Sequence, residues 1–214
     1  MESLSLAERE KVLVSGGKKE EYDVIQKGFE IDAQSLLEGA AKLNRAELYE
    51  IAEMIVQADS VYIIGERSSN ALAHYISFYL SWFLPHVHHM PNDYRLEKIS
   101  VLPRGTLIIG ITFRRCISNV VDMLSLAAKK GLTTVAITNS KKNALARAGS
   151  KILTVPCNYI SFIDSYTVPI SFMNALILAT SRRKFGEAGL NFADLEKLWE
   201  EKGTYVLENL KTNE

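Results

Sequence analysis

From Ser60 to Val155 the chain repeats one pattern: a short run of apolar, often β-branched residues, a turn rich in small polar groups, then a helix-length amphipathic segment. Such alternation is the signature of a parallel sheet, because parallel neighbours need a crossover long enough for a helix and both sheet faces are then covered. The pattern places strands at Ser60–Gly65, His86–Met90, Thr106–Thr112, Thr133–Thr138 and Lys151–Val155. It places helices at about Asn70–Leu84, Ser118–Lys130, Asn143–Ala148 and Asp164–Phe185, with Gly131 at the left-handed stop of the second. Right-handed crossovers favour an open three-layer α-β-α fold of flavodoxin type, with five strands in order 2-1-3-4-5. In that order the first and third strands meet at the topological switch point, where such sheets bind ligands.

Both of those strands run into turns suited to an anion. The first reads Val61-Tyr-Ile-Ile-Gly-Glu-Arg-Ser-Ser-Asn70 and the third Leu107-Ile-Ile-Gly-Ile-Thr-Phe-Arg-Arg-Cys-Ile-Ser-Asn119. Each joins hydroxyls and guanidinium to the unpaired amides of a helix N-terminus. The candidate binding residues are Gly65, Arg67, Ser68 and Ser69 in the first turn and Thr112, Arg114, Arg115 and Ser118 in the second. Thr138, Asn139 and Ser140 end the fourth strand and are candidates for the far wall.

Each group also has a structural reading. Ser68, Ser69 or Asn70 would cap the following helix, and Ser118 would cap the next. Arg114 and Arg115 would be solvated or meet a partner subunit's acids. Asn139 would fold onto its own backbone in a plain turn, and Asp164 with Ser165 would cap the last long helix. His86 and His88 would share one strand face, but no acidic or cysteine partner stands at ligand spacing, so no metal site is assigned. His74 is read as a packed helix-surface histidine, and no cofactor motif is present. Phe78, Trp82, Phe83, Phe172 and Leu176 recur at helical spacing and would fill the core or a dimer seam.

Residues 1–28 are charged and weakly patterned, which reads as a tail or linker. Helices follow over 29–58, the second opened by a capping box at Asn44-Arg-Ala-Glu47. The sheet core spans 60–186 and a terminal helix about 190–210, so 29–214 form one domain. In the 214-residue chain, Lys plus Arg and Asp plus Glu are 25 each, so no net positive field holds a nucleic acid. Two cysteines without redox or metal spacing fit a reducing cytoplasm, and no segment reads as a signal peptide or membrane span.

Five segments in order resemble the sugar isomerase (SIS) domain. Ala58–Ala73 resembles its first strand and phosphate loop, and Pro103-Arg-Gly-Thr-Leu-Ile-Ile-Gly-Ile-Thr112 its third strand. Ala127-Ala-Lys-Lys-Gly131 with Val135-Ala-Ile-Thr138, and Ser140-Lys-Lys-Asn-Ala-Leu-Ala146, resemble its later stretches. Within the superfamily, Thr112-Phe-Arg-Arg115 and Phe162-Ile-Asp-Ser-Tyr-Thr-Val-Pro-Ile-Ser171 are most similar to the effector domain of RpiR-type transcription regulators. The resemblance implies a phosphorylated sugar or related small acid as ligand, Ser69 at the phosphate-binding serine, and a homodimer or higher oligomer.

Two departures stand out. Arg67 replaces a glycine of the family loop, and Arg114-Arg115 replace Ser-Gly in the second. They either block the usual cradle or supply guanidinium to a phosphate. The 28 residues before Phe29 are too few for the family's helix-turn-helix domain, so DNA contact is expected only through such a domain in a full-length protein. The chain then reads as a fragment or as a stand-alone member. The competing reading is an aldose–ketose phosphate isomerase, for which Glu66, Asp164 and Glu187 are conceivable bases. A third is a dimerising scaffold whose pocket has lapsed.

Overall fold

The computed structural model describes residues 24–90, 93, 95–160, 162–186 and 192–206. Helices α1 (Val24–Ala41) and α2 (Arg45–Gln57) precede strand β1 (Ser60–Gly65), helix α3 (Ser69–Ser81) and strand β2 (Val87–His89). Then come α4 (Arg95–Val101), β3 (Thr106–Ile111), α5 (Ser118–Lys129), β4 (Thr133–Thr138), α6 (Ala144–Ala148) and β5 (Lys151–Thr154). A two-strand hairpin, β6 (Tyr159–Ile160) and β7 (Ile163–Asp164), leads into α7 (Thr167–Phe185), and α8 (Ala193–Lys202) follows.

The main sheet has the order β2-β1-β3-β4-β5 with every neighbouring pair parallel, the arrangement that the alternating pattern implied. Successive side chains point to opposite faces, and the core divides accordingly. Val61, Ile63, Leu107, Ile109, Ile111, Val135 and Ile137 pack with α2, α3 and α7. Ile64, Ile108 and Ala136 face the other way, against Ile99 of α4, Val120 and Leu124 of α5 and Leu145 of α6. Phe172 and Leu176 are buried in the first of these layers, so they are core rather than seam.

Local chemistry sets the boundaries. Asn44 Oδ1 accepts the Glu47 amide at 3.2 Å, as the capping box implied, and Gly131 adopts φ 76° after α5. β2 is shorter than His86–Met90, although the His86 carbonyl and the Met90 amide still bond β1. α1 begins at Val24, so the segment assigned to a tail ends in helix, and its residues 1–23 lie outside the described set. The terminal helix occupies only Ala193–Lys202 of the expected 190–210, of which 190–191 and 207–210 also lie outside it. α4 was not expected.

The last long helix starts at Thr167, not Asp164, because Asp164 pairs with Tyr159 in the hairpin. Pro169 therefore falls in the first turn, where its missing N–H leaves no helical bond unmade. Among the described residues, no helix is long and apolar enough to cross a membrane.

Candidate functional site

The first loop is shaped by contact between backbones. A Cβ on Gly65 would lie 2.4 Å from the carbonyl oxygen of Ser69, so only glycine lets β1 end this close to the first turn of α3. Arg67 has φ 51°, which among the described residues makes it the only left-handed residue that is not glycine. The glycine of the resembling loop is thus replaced at a position whose backbone suits glycine.

Ser68 and Ser69 do not cap α3 with their side chains. Both hydroxyls meet Tyr166, Ser68 Oγ at 2.9 Å and Ser69 Oγ at 3.1 Å from the phenol oxygen. Burial raises the Tyr166 phenol above its usual range, and its hydrogen bonds with Ser68 and Ser69 partly oppose that shift. The group is a neutral O–H donor at neutral pH.

Under this loop lies an ion pair that the sequence did not announce. Arg95, 3% exposed, donates Nη1 to Glu66 Oε1 at 2.6 Å and Nη2 to the carbonyls of Gly65 and Met90 at 3.0 Å each. Glu66 Oε1 also accepts from Asn119 Nδ2 at the start of α5. One carboxylate therefore ties the loop after β1 to the helix after β3. Burial lowers the Arg95 guanidinium from its ordinary value, with Glu66 opposing, but a guanidinium in this setting stays charged.

The second loop splits its two arginines. Thr112 Oγ1 accepts the Ile117 amide at 3.2 Å, which closes the turn into α5. Ile117, not Ser118, is the N-cap residue; Ser118 is the first helical residue and caps nothing. Arg114 turns toward the hairpin, donating Nε to the Cys157 carbonyl at 3.0 Å and lying 4.8 Å from the centre of the Tyr159 ring. Arg115 lines a cavity of about 620 Å³ in which Arg114 has no part.

That cavity brings together Arg67, Ser68, Ser69, Thr112 and Arg115 at the carboxyl ends of β1 and β3. Phe113, Phe162 and Ile163 supply apolar wall, and Asp164 and Tyr166 complete it from the segment before α7. A smaller cavity of about 130 Å³ collects Arg114, Asn139 and Ser140 with Lys142 and Asn143.

At the end of β4, buried Thr138 accepts from Asn143 Nδ2 at 2.5 Å, and Ser140 Oγ accepts the Lys142 amide at 3.2 Å. Asn139 does not fold onto its own backbone, since its buried Oδ1 has no hydrogen-bond partner. The candidate residues are thus split between two cavities rather than gathered in one, and Gly65, Ser118 and Thr138 line neither.

The histidines have local partners. His86 Nε2 meets the Ile55 carbonyl at 3.2 Å, and His89 Nε2 meets Asn70 Oδ1 at 2.9 Å. Burial lowers the His89 pKa, and His74 and Arg95 add to the shift. Among the described residues, no group of three His, Cys, Asp or Glu side chains is placed to hold a metal ion.

Chemically, the larger cavity offers hydroxyl and guanidinium donors at a doubly wound sheet's switch point. The SIS domain family model matches residues 54–179, more than half of the chain and all of the main sheet. The chain belongs to the SIS domain family. Its relatives include an uncharacterized HTH-type transcriptional regulator from Caldanaerobacter subterraneus subsp. tengcongensis, 24% identical over 193 residues. That match covers 86% of this chain and 68% of the relative. The fold matches the sugar isomerase domain of an RpiR transcription factor from Sphaerobacter thermophilus, with TM-score 0.71 and 22% identity over 80% of this chain and 96% of that one. It also matches the Vibrio vulnificus NanR protein complexed with ManNAc-6P, with TM-score 0.69 and 16% identity over 93% of this chain and 72% of that one. This SIS chain carries its polar loops at the carboxyl edge of the parallel sheet.

Proposed function

We propose that this SIS chain is the effector-sensing module of an RpiR-type transcription regulator and binds a phosphorylated sugar in the larger cavity. The observation that carries this reading is the convergence of Arg67, Ser68, Ser69, Thr112 and Arg115 on one 620 Å³ space. Guanidinium and hydroxyl donors in that number suit a phosphate's three terminal oxygens, and the apolar wall suits the carbon face of a sugar. ManNAc-6P in the related NanR protein supports the same ligand class. The adjoining Arg114 cavity, with Asn139, Ser140, Lys142 and Asn143, is assigned to the polar end of the ligand farthest from the phosphate.

Within this reading the protein works in the cytoplasm as a homodimer or higher oligomer. Phe78, Ile170 and Leu178 are exposed apolar groups suited to a second copy. The balanced charge suits contact with DNA through an attached helix-turn-helix domain, not through this surface.

Isomerisation needs a base, and of the three conceivable ones Glu66 is held in a 2.6 Å ion pair with Arg95 while Glu187 lies outside the described residues. Asp164 is the carboxylate that lines the cavity and the candidate base of the alternative reading.

Calorimetric titration with a panel of hexose, pentose and N-acetylhexosamine phosphates is the test. Saturable binding lost on Arg115→Ala is expected, with no turnover in a coupled isomerase assay. Absence of binding at millimolar concentrations rules the sensor out, and turnover abolished by Asp164→Asn establishes the enzyme.

A further inference from the structure

One side chain stands between the anion-binding loops and the N-terminal helix. Tyr166 has its hydroxyl between Ser68 and Ser69, while its ring lies 5.7 Å from that of Phe113 in the loop after β3. The residues on both sides of it are fastened elsewhere. Ser165 Oγ donates to Asp32 Oδ1, and Thr167 Oγ1 donates to Asp32 Oδ2 at 2.8 Å. Asn158, whose carbonyl accepts the Ser165 amide, donates its side-chain Nδ2 to Ser35 Oγ at 2.6 Å. Asp32 and Ser35 both belong to α1. Three hydrogen bonds therefore connect the segment carrying Tyr166 to α1, and none of the residues that make them lines the cavity.

Proton counting gives the hydroxyl cluster a direction. Three hydroxyls supply three protons, and the phenol oxygen accepts up to two bonds. If the phenol accepts from both serines, its own proton is left for an acceptor in the cavity. When a phosphate takes the serine protons, the phenol gives up both acceptances and its proton has the anion or a serine oxygen to turn to. In either arrangement a phosphate at Ser68 and Ser69 changes what Tyr166 is bonded to.

We propose that Tyr166 is a phosphate-contacting residue that donates its phenolic proton to the bound anion and, through the Ser165–Asp32–Thr167 bridge, passes occupancy to α1. The inference rests on the cavity being a phosphate site. Asp32 is a positioning residue here, since it touches Ser165 and Thr167 and does not line the cavity.

Inorganic phosphate, followed by ³¹P NMR, and glucose 6-phosphate, followed by calorimetry, are the probes on the full chain. Tyr166→Phe keeps the ring and removes the donor, and is expected to weaken the affinity of both about ten- to hundred-fold, the worth of a hydrogen bond to a charged group. Unchanged or tighter binding overturns the proposal while leaving the cavity assignment intact. Failure of inorganic phosphate and of every sugar phosphate in the panel to bind the unaltered protein overturns the cavity assignment itself.

Hydrogen exchange of α1 amides tests the relay. Phosphate is expected to change exchange over 24–41 in the unaltered protein and not in Asp32→Ala, whose phosphate affinity stays within about two-fold. An α1 that ignores phosphate in the unaltered protein refutes the relay. Should Tyr166→Phe not fold, the ¹³Cζ resonance of Tyr166 in the unaltered protein serves instead, and a shift that does not follow phosphate saturation refutes the contact.

Discussion

Arg95 and Glu66, 29 residues apart in sequence, form a buried ion pair with Nη1 and Oε1 2.6 Å apart, directly beneath the loop that ends β1. The Arg95 side chain is 2% exposed and Glu66 13%, so neither charge is screened as a surface pair would be. Removing one member leaves the other buried and uncompensated. We expect Arg95→Ala to destabilise the fold by about 3–5 kcal/mol in chemical denaturation. A loss under about 1 kcal/mol would show that the pair is solvated in solution.

Gly65→Ala tests a steric claim. The new Cβ would stand 2.4 Å from a backbone oxygen and 2.8 Å from its carbon, and neither can rotate away as a side chain does. The expected cost is about 1–3 kcal/mol, the range for overpacking, together with loss of phosphate binding as the loop shifts. Denaturation and calorimetry on the same preparation measure both.

Arg67 separates backbone from side chain. At φ 51° it bears a strain of about 1 kcal/mol that glycine would not. Arg67→Gly should therefore leave the melting temperature unchanged or raised, and weaken phosphate affinity about ten-fold or more through loss of the guanidinium. Affinity that survives the change would assign Arg67 to solvent.

Arg114 and Arg115 should behave differently although they are neighbours. Arg115→Ala removes a guanidinium from the larger cavity and is expected to abolish saturable phosphate binding at millimolar concentration. Arg114→Ala removes the Cys157 carbonyl bond and the Tyr159 contact, costing about 1 kcal/mol of stability with a smaller effect on phosphate. Equal effects of the two on phosphate binding would contradict the separation.

His89 sets a pH dependence. Burial, with His74 and Arg95 nearby, lowers its pKa in the folded state, so the unfolded chain takes up a proton first as pH falls. Its contribution is present above the unfolded value of about 6.5 and is lost as pH falls from there through the lower folded value. His89→Asn should flatten that part of the stability curve between pH 7 and 5, as read by thermal melts in a series of buffers.

Much of the fold was legible because strand and helix periodicities are local. Apolar runs such as Val61–Ile64 and Leu107–Ile111, separated by helix-length segments, mark the strands, and right-handed crossovers between them suggest their order. α4 was less legible, since Arg95–Val101 is short and its first residue is a buried arginine whose partners lie at Gly65, Glu66 and Met90. No local pattern reports such a pairing. Ser68, Ser69 and Thr112 were placed correctly at the strand ends, but the partner of the two serines, Tyr166, is about a hundred residues away in a segment read as helix. Pro169 was the available signal there, because a proline three residues into a helix sets its start near Thr167.

The division of the two arginines has an evolutionary corollary. Phe113 and Arg115 line the larger cavity while Arg114, between them, bonds the Cys157 carbonyl and lies against the Tyr159 ring, so neighbouring positions of one loop carry separate duties. Under the proposed sensor reading, Arg115 is then free to vary with the ligand, whereas a change at Arg114 is felt first at the Cys157 carbonyl and the hairpin.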